Sequence, residues 1–203
     1  NKVIDSQGWI TFECRQGKQV NVYAAYYNGK QWLKDILVTP EDYNAYDPHI
    51  AQTKNGLIYV TYTAFYSGNY HILLTKMNEQ GDIIESSIRI SDQPGSSFWK
   101  KKKKRSDGGV WICWTSLSGT RKFEDTYLQH HKYHERRNIF MYLPQLYMGV
   151  YKNDNLHMVS AAEEKRKGDI EACFVDDYEG AKYPKLIEKN RILYLFCRKY
   201  NKF

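Results

Sequence analysis

The chain has 203 residues, 42% of them hydrophobic and 15% aromatic, with a formal net charge of +7. That length is enough to bury a substantial core as one domain, and no apolar stretch approaches the roughly eighteen residues of a membrane-spanning helix. The opening residues also lack the charged and apolar regions of a signal peptide.

Taken in order, the chain repeats one phrase, a turn residue leading into a short strand of apolar and aromatic residues. It occurs at Gly8–Phe12, Gly56–Tyr62, Gly109–Trp114, Asn155–Val159 and Arg191–Phe196. With Trp9, Ile58, Val110, Leu156 and Ile192 as anchors, the spacings are 49, 52, 46 and 36 residues, the range of propeller blades. A second β-forming segment follows each of the first four anchors, at Asn21–Tyr23, His71–Leu73, Asn138–Phe140 and Asp169–Glu171. Its offsets are 13, 14, 29 and 14 residues, which places an insertion near residues 119–135. A third, proline-bearing segment precedes three anchors, at Tyr46–Ile50, Leu143–Tyr147 and Tyr183–Ile187, where proline suits a strand's start or edge. Short strands at regular spacing also suit a β-sandwich, but the joint recurrence of three elements favours a propeller-like all-β domain over 1–203. Its units would be 1–42, 43–94, 95–142, 143–181 and an incomplete 182–203.

The run Lys100–Arg105 falls where the third unit needs its entering strand. Lysines cannot bury alternate side chains between blades without a severe desolvation cost, so an irregular segment is expected there. The run holds six of the cations behind the net charge; the rest of the chain is close to neutral, which argues against a nucleic-acid partner. Ala161–Lys167 has helix-forming composition but stands where other units have a hairpin turn, so it reads as an extended loop. Cys14, Cys113, Cys173 and Cys197 fall in strand positions with no zinc spacing; they read as buried thiols, with a single disulfide as the alternative. The fifth unit stops at Phe203 after its central strand. Either Asn1–Ile4 closes it as a strap or the chain is part of a larger propeller, and an open ring would leave edge strands that favour association.

The phrases Tyr46–Ile50, Gly56–Tyr62 and Ser106–Trp111 resemble the blades of bacterial sialidase-like and TolB-like β-propellers, over almost the whole chain. The resemblance implies a periplasmic or extracellular protein. Ser106, Asp107, Gly109 and Trp111 have the residue types of the sialidase Asp box at a different spacing, and no residues match the sialidase arginine triad, nucleophilic tyrosine and acid–base pair. Asp47-Pro48 and Glu179-Gly180 resemble the base and acid phrases of five-bladed arabinanase- and xylosidase-type glycoside hydrolases, with Ala181 in place of a proline. That second resemblance implies a catalytic pair, Asp47 and Glu179, facing each other across a sugar.

The residues themselves point first to binding. Tyr26, Tyr27, Trp32, Tyr43, Tyr46, Tyr66, Tyr70, Phe98 and Trp99 lie at or near expected loop boundaries, where aromatic rings stack on sugar faces or protein side chains. His130, His131 and His134 lie in the insertion; their flanking cations oppose a metal, and the loop reads as a ligand contact instead. The expected function is a carbohydrate-binding or protein-binding module without a cofactor, with a glycoside hydrolase as the alternative.

Overall fold

The computed structural model describes residues 8–33, 35–39, 42–92, 95–105, 108–123, 139–158, 181–189 and 192–199. These residues are all β, with no helix, and form four antiparallel sheets of strands consecutive in sequence. The first sheet holds β1 (Gly8–Gln16), β2 (Gln19–Tyr27) and β3 (Ile36–Leu37). The second holds β4 (Asn44–Gln52), β5 (Ile58–Tyr66), β6 (Asn69–Met77) and β7 (Ile83–Arg89). The third holds β8 (Ser97–Lys104), β9 (Val110–Phe123), β10 (Ile139–Lys152) and β11 (Asn155–Met158). The fourth pairs β12 (Ala181–Lys189) with β13 (Ile192–Lys199).

Local chemistry explains the meanders. Two-residue turns join β5 to β6 through Ser67-Gly68 and β10 to β11 through Asn153-Asp154. In both turns the two central residues have positive φ, between 50° and 78°, the backbone that matches the twist of paired strands. The three prolines inside strands coincide with breaks in pairing. Pro48 lies in the register shift of β4, Pro144 in that of β10 and Pro184 in that of β12. A residue that cannot donate to the ladder is tolerated there.

The central strands β5 and β6 of the second sheet are buried on both faces, which is why large apolar residues occupy successive positions along them, as in Ile58-Tyr59-Val60 and Ile72-Leu73-Leu74. One face sends Ile58, Val60, Tyr62, Ala64, Leu73 and Met77 against Val22 and Ala24 of the first sheet and Val38 just after β3. The other sends Tyr59, Ile72 and Leu74 against Val110, Ile112, Trp114 and Tyr151 of the third. Each fully buried large side chain contributes roughly 1.5–3 kcal/mol. The Tyr62 hydroxyl remains satisfied inside the core: it lies 3.3 Å from the Tyr43 hydroxyl, 3.3 Å from Thr75 Oγ1 and 3.4 Å from Ser87 Oγ. Between the second and third sheets, an ion pair from Lys76 to Asp154 borders an edge-on contact of Tyr59 with Tyr151.

The sheets follow one another in order, β1 beside β4, β4 beside β8 and β8 beside β12, but among the described residues they do not close into a ring. The boundary expected at 142/143 falls inside β10, a single strand of 14 residues paired with β9. The expected fourth anchor, Leu156, lies on β11, the edge strand of the third sheet, and not on a central strand. The Asn153-Asp154 turn explains this departure, because it folds Asn155–Met158 back onto Gly149–Lys152. A turn followed by a short apolar strand reads alike in sequence at an edge and at a centre.

The lysine run is likewise a correction. It forms most of β8, a strand rather than an irregular segment, on the edge of its sheet and with a register shift between Phe98 and Lys101. An edge needs only one hydrogen-bonded neighbour, and lysine is a residue type that discourages further pairing there. At its end the Arg105 guanidinium lies 4.5 Å from the Trp111 ring centroid, a cation–π contact. Cys14 and Cys113 are thiols, Cys113 buried, and Cys197 lies on β13. Cys173, Ala161–Lys167 and the end strap Asn1–Ile4 lie outside the described residues.

Candidate functional site

A cleft of about 790 Å³ lies between the first sheet and the β6–β7 turn. Its aromatic wall comes from a cross-strand pair. Trp9 and Tyr26 stand opposite each other on β1 and β2 with ring centroids 5.1 Å apart, while Tyr23 borders the cleft from the other face of the sheet, where it stacks on Phe12. The β2–β3 loop supplies Leu33 and Asp35. It is held by Leu33 N–H donating to the Tyr26 carbonyl at 2.8 Å and by Asn28 Oδ1 accepting from the N–H groups of Lys30 and Gln31.

The opposite wall is the turn Glu79–Asp82. Asn78 shapes it: its Oδ1 accepts from Asp82 N–H at 2.8 Å, its Nδ2 donates to Asp82 Oδ2 at 2.9 Å, and its carbonyl accepts from Gly81 N–H at 3.1 Å. Gly81 is buried with φ +90°, and a Cβ there would collide with Ile36 Cδ1 and stand 2.9 Å from Trp9 Cη2. Only glycine lets this turn rest on the Trp9 ring. The cleft is therefore lined by aromatic and aliphatic side chains together with Asp35, Glu79, Gln80 and Asp82, with no cation among the described residues that line it, and the Glu79 side chain also lies against Gly56.

Asp47 lies elsewhere, in the β4 register shift between Tyr46 and His49. Its φ is +49° although proline follows, and the residue before proline normally takes an extended backbone. Such a conformation costs of order 1–3 kcal/mol and needs outside support. Glu13 Oε1 on β1 supplies it by accepting the Asp47 N–H at 2.7 Å, and His49 Nε2 lies 3.4 Å from Asp47 Oδ1. The Asp47 side chain is 53% exposed. Its expected partner Glu179, together with His130, His131 and His134, lies outside the described residues.

Of the expected aromatic contacts, Tyr46 and Tyr70 meet, with centroids 6.5 Å apart, and Tyr70 also touches Phe65 at 4.8 Å. Phe65 is 42% and Tyr70 38% exposed. Tyr66 is directed to the other face of the sheet, as strand alternation requires, where it packs on His71 at 4.4 Å and Tyr43 at 5.7 Å. Tyr46, Tyr66 and Tyr70 therefore do not make one platform. His71 is buried; burial first, and the Arg89 charge second, hold its pKa below the ordinary 6.5, against a raising contribution from its hydrogen bond to the Tyr66 backbone. Trp99 lies within the β8 register shift.

Sequence reasoning missed Asp35, Glu79, Gln80 and Asp82, and it took Trp9 only as a strand anchor. The one local signal was the polar, glycine-bearing turn Asn78–Asp82, which spacing alone could not bring to Trp9. No metal-binding group of three or more His, Cys, Asp or Glu occurs among the described residues. No protein-family model matches the chain, and no curated protein matches it.

Proposed function

We propose that this chain is a propeller-like carbohydrate-binding module whose sugar seat is the cleft between the first sheet and the β6–β7 turn. The observation that carries this is the composition of the cleft, with Trp9 and Tyr26 of the first sheet and Asp35 of its β2–β3 loop on one side and Gln80 and Asp82 of the β6–β7 turn on the other. Aromatic rings stack on the C–H faces of a sugar, and side-chain carboxylates and amides accept and donate to its hydroxyls. A volume of about 790 Å³ is ample for a short oligosaccharide. The propeller-like arrangement is supported by the sequential stacking of sheets and by the two core clusters on opposite faces of the second sheet. The test is titration calorimetry against a panel of oligosaccharides, with Tyr26→Ala as the control. Binding that survives Tyr26→Ala unchanged, or no binding to any sugar, defeats the proposal.

A second reading, glycoside hydrolysis by Asp47 and Glu179, is favoured by one observation, the strained and exposed Asp47. Strain held in place by a neighbouring side chain is a property of functional sites. A chromogenic glycoside panel tests it, since turnover abolished by both Asp47→Asn and Glu179→Gln is required.

A further inference from the structure

The first two sheets repeat each other position by position. Ile10 stands opposite Ala25, Phe12 opposite Tyr23 and Cys14 opposite Asn21 across β1 and β2, as Val60 stands opposite Thr75, Tyr62 opposite Leu73 and Ala64 opposite His71 across β5 and β6. The hydrogen bonds beyond the outer strands match as well. Val38 N–H donates to the Val22 carbonyl and Ile90 N–H to the Ile72 carbonyl, both at 2.9 Å, while Thr39 Oγ1 accepts from Val22 N–H at 3.0 Å and Ser91 Oγ from Ile72 N–H at 2.8 Å. The faces of the two sheets therefore correspond. Val60, Tyr62, Ala64 and Leu73 are buried against the first sheet. Their counterparts Ile10, Phe12, Cys14 and Tyr23 form the outer face of the first sheet, where Phe12 stacks on Tyr23 at 5.8 Å. Ile10 is 43% exposed there, and Leu37, opposite Tyr23, is 39% exposed. No Lys, Arg, Asp or Glu falls on this face of β1 and β2, because strand alternation sends Glu13 and Arg15 to the other side.

The fourth sheet carries the matching end. β12 shares with β4 a register shift around a proline, and Ile187 follows Pro184 at the same distance as Ala51 follows Pro48. Ala51 packs into the cluster between the second and third sheets. Ile187 holds the corresponding place on the fourth sheet, yet it is 40% exposed.

We propose that copies of this chain associate head to tail, with the outer face of the first sheet in one copy packed on the outer face of the fourth sheet in the next. Both internal seams, first sheet to second and second to third, join these same two kinds of face, so the contact between copies continues the stack with the packing it already uses. Within one chain the two end faces do not cover each other, since Ile10, Leu37 and Ile187 are all exposed. Taking these side chains out of water is favourable, and the first-sheet face buries no charge in doing so. Such a contact is heterologous: it leaves one free face at each end and adds further copies until a ring closes.

The test is sedimentation velocity of the intact chain over a wide range of concentration, with Ile10→Lys and Ile187→Lys made separately and Leu37→Lys as a second variant on the first face. The unaltered chain should form species larger than one copy that grow with concentration, and each variant should weaken the association by about tenfold or more. Mixing Ile10→Lys with Ile187→Lys separates head-to-tail packing from every other mode. Each variant keeps one intact face, so the mixture should form a one-to-one dimer that grows no further. The substituted side chains are exposed, so the variants are expected to fold; circular dichroism checks this, and recovery of the mixed dimer confirms it independently. An unaltered chain that stays single at every concentration overturns the proposal. Loss of association in Ile10→Lys but not in Ile187→Lys also overturns it, because the first sheet would then pack on its own copy. Association that survives both substitutions overturns it too and assigns the contact to open strand edges.

Discussion

Glu13 on β1 accepts the backbone N–H of Asp47 on β4 at 2.7 Å, a side-chain-to-backbone bond across the seam between the first and second sheets. It holds a left-handed aspartate that its own proline disfavours. Replacing Glu13 by Ala should cost about 1 kcal/mol, the ordinary worth of one such bond at an exposed position, and Glu13→Gln should recover most of it. Urea denaturation measures both; equal losses in the two variants would mean that the side chain acts only through its charge.

The strain at Asp47 gives a separate prediction. Glycine accepts φ +49° without a clashing Cβ, so Asp47→Gly should be neutral or stabilising by roughly 0.5 kcal/mol. If hydrolysis is found, the same variant should abolish it. A clear loss of stability would show that the Asp47 side chain, through His49, matters more than the backbone strain.

Gly81 leads to the opposite expectation. Alanine there combines an unfavourable φ of +90° with a collision against Ile36 and Trp9, so Gly81→Ala should destabilise by about 2–4 kcal/mol. Tryptophan fluorescence and ligand titration should both change, because the turn can relieve the overlap only by leaving the Trp9 ring and opening the cleft.

In the core, Tyr62→Phe removes a hydroxyl shared by Tyr43, Thr75 and Ser87 while keeping the ring that fills the first cluster. The expected loss is about 1 kcal/mol, since Tyr43 and Ser87, 2.9 Å apart, still satisfy each other. A loss near that of a ring deletion would show that the network sets the packing.

His71 makes stability depend on pH. Its pKa is lowered in the folded protein, chiefly by burial, so below about pH 6.5 the unfolded chain binds a proton that the folded chain resists. Stability should therefore be full above that pH and fall as the pH drops from it toward the depressed folded value. His71→Gln should flatten this slope in denaturation curves measured across the range, and an unchanged slope would assign the effect to other groups.

The all-β character was legible in the sequence because alternation and turn chemistry act locally. Gly56, Ser67-Gly68 and Asn153-Asp154 dictate reversals within a few residues, and the runs at Ile58–Tyr66 and Asn69–Met77 announce strands whatever surrounds them. The offset of 29 residues likewise marked where β9 and β10 extend past the pattern of the earlier hairpins. Which sheet a strand joins was not legible. Leu156 and Ile58 stand in similar phrases, yet one lies on an edge strand and the other in a double-sided core, because pairing depends on partners distant in the chain.

The sequence by itself determined strands, turns and the positions where proline breaks a ladder, since each follows from backbone sterics and period-two alternation. Only the tertiary structure decided that Asp47 meets Glu13, that Tyr66 is directed away from Tyr46 and Tyr70, and that Gly81 rests on Trp9. Those relationships arise from one sheet packing on the next, and a chain's local preferences carry no information about which distant surface will cover it.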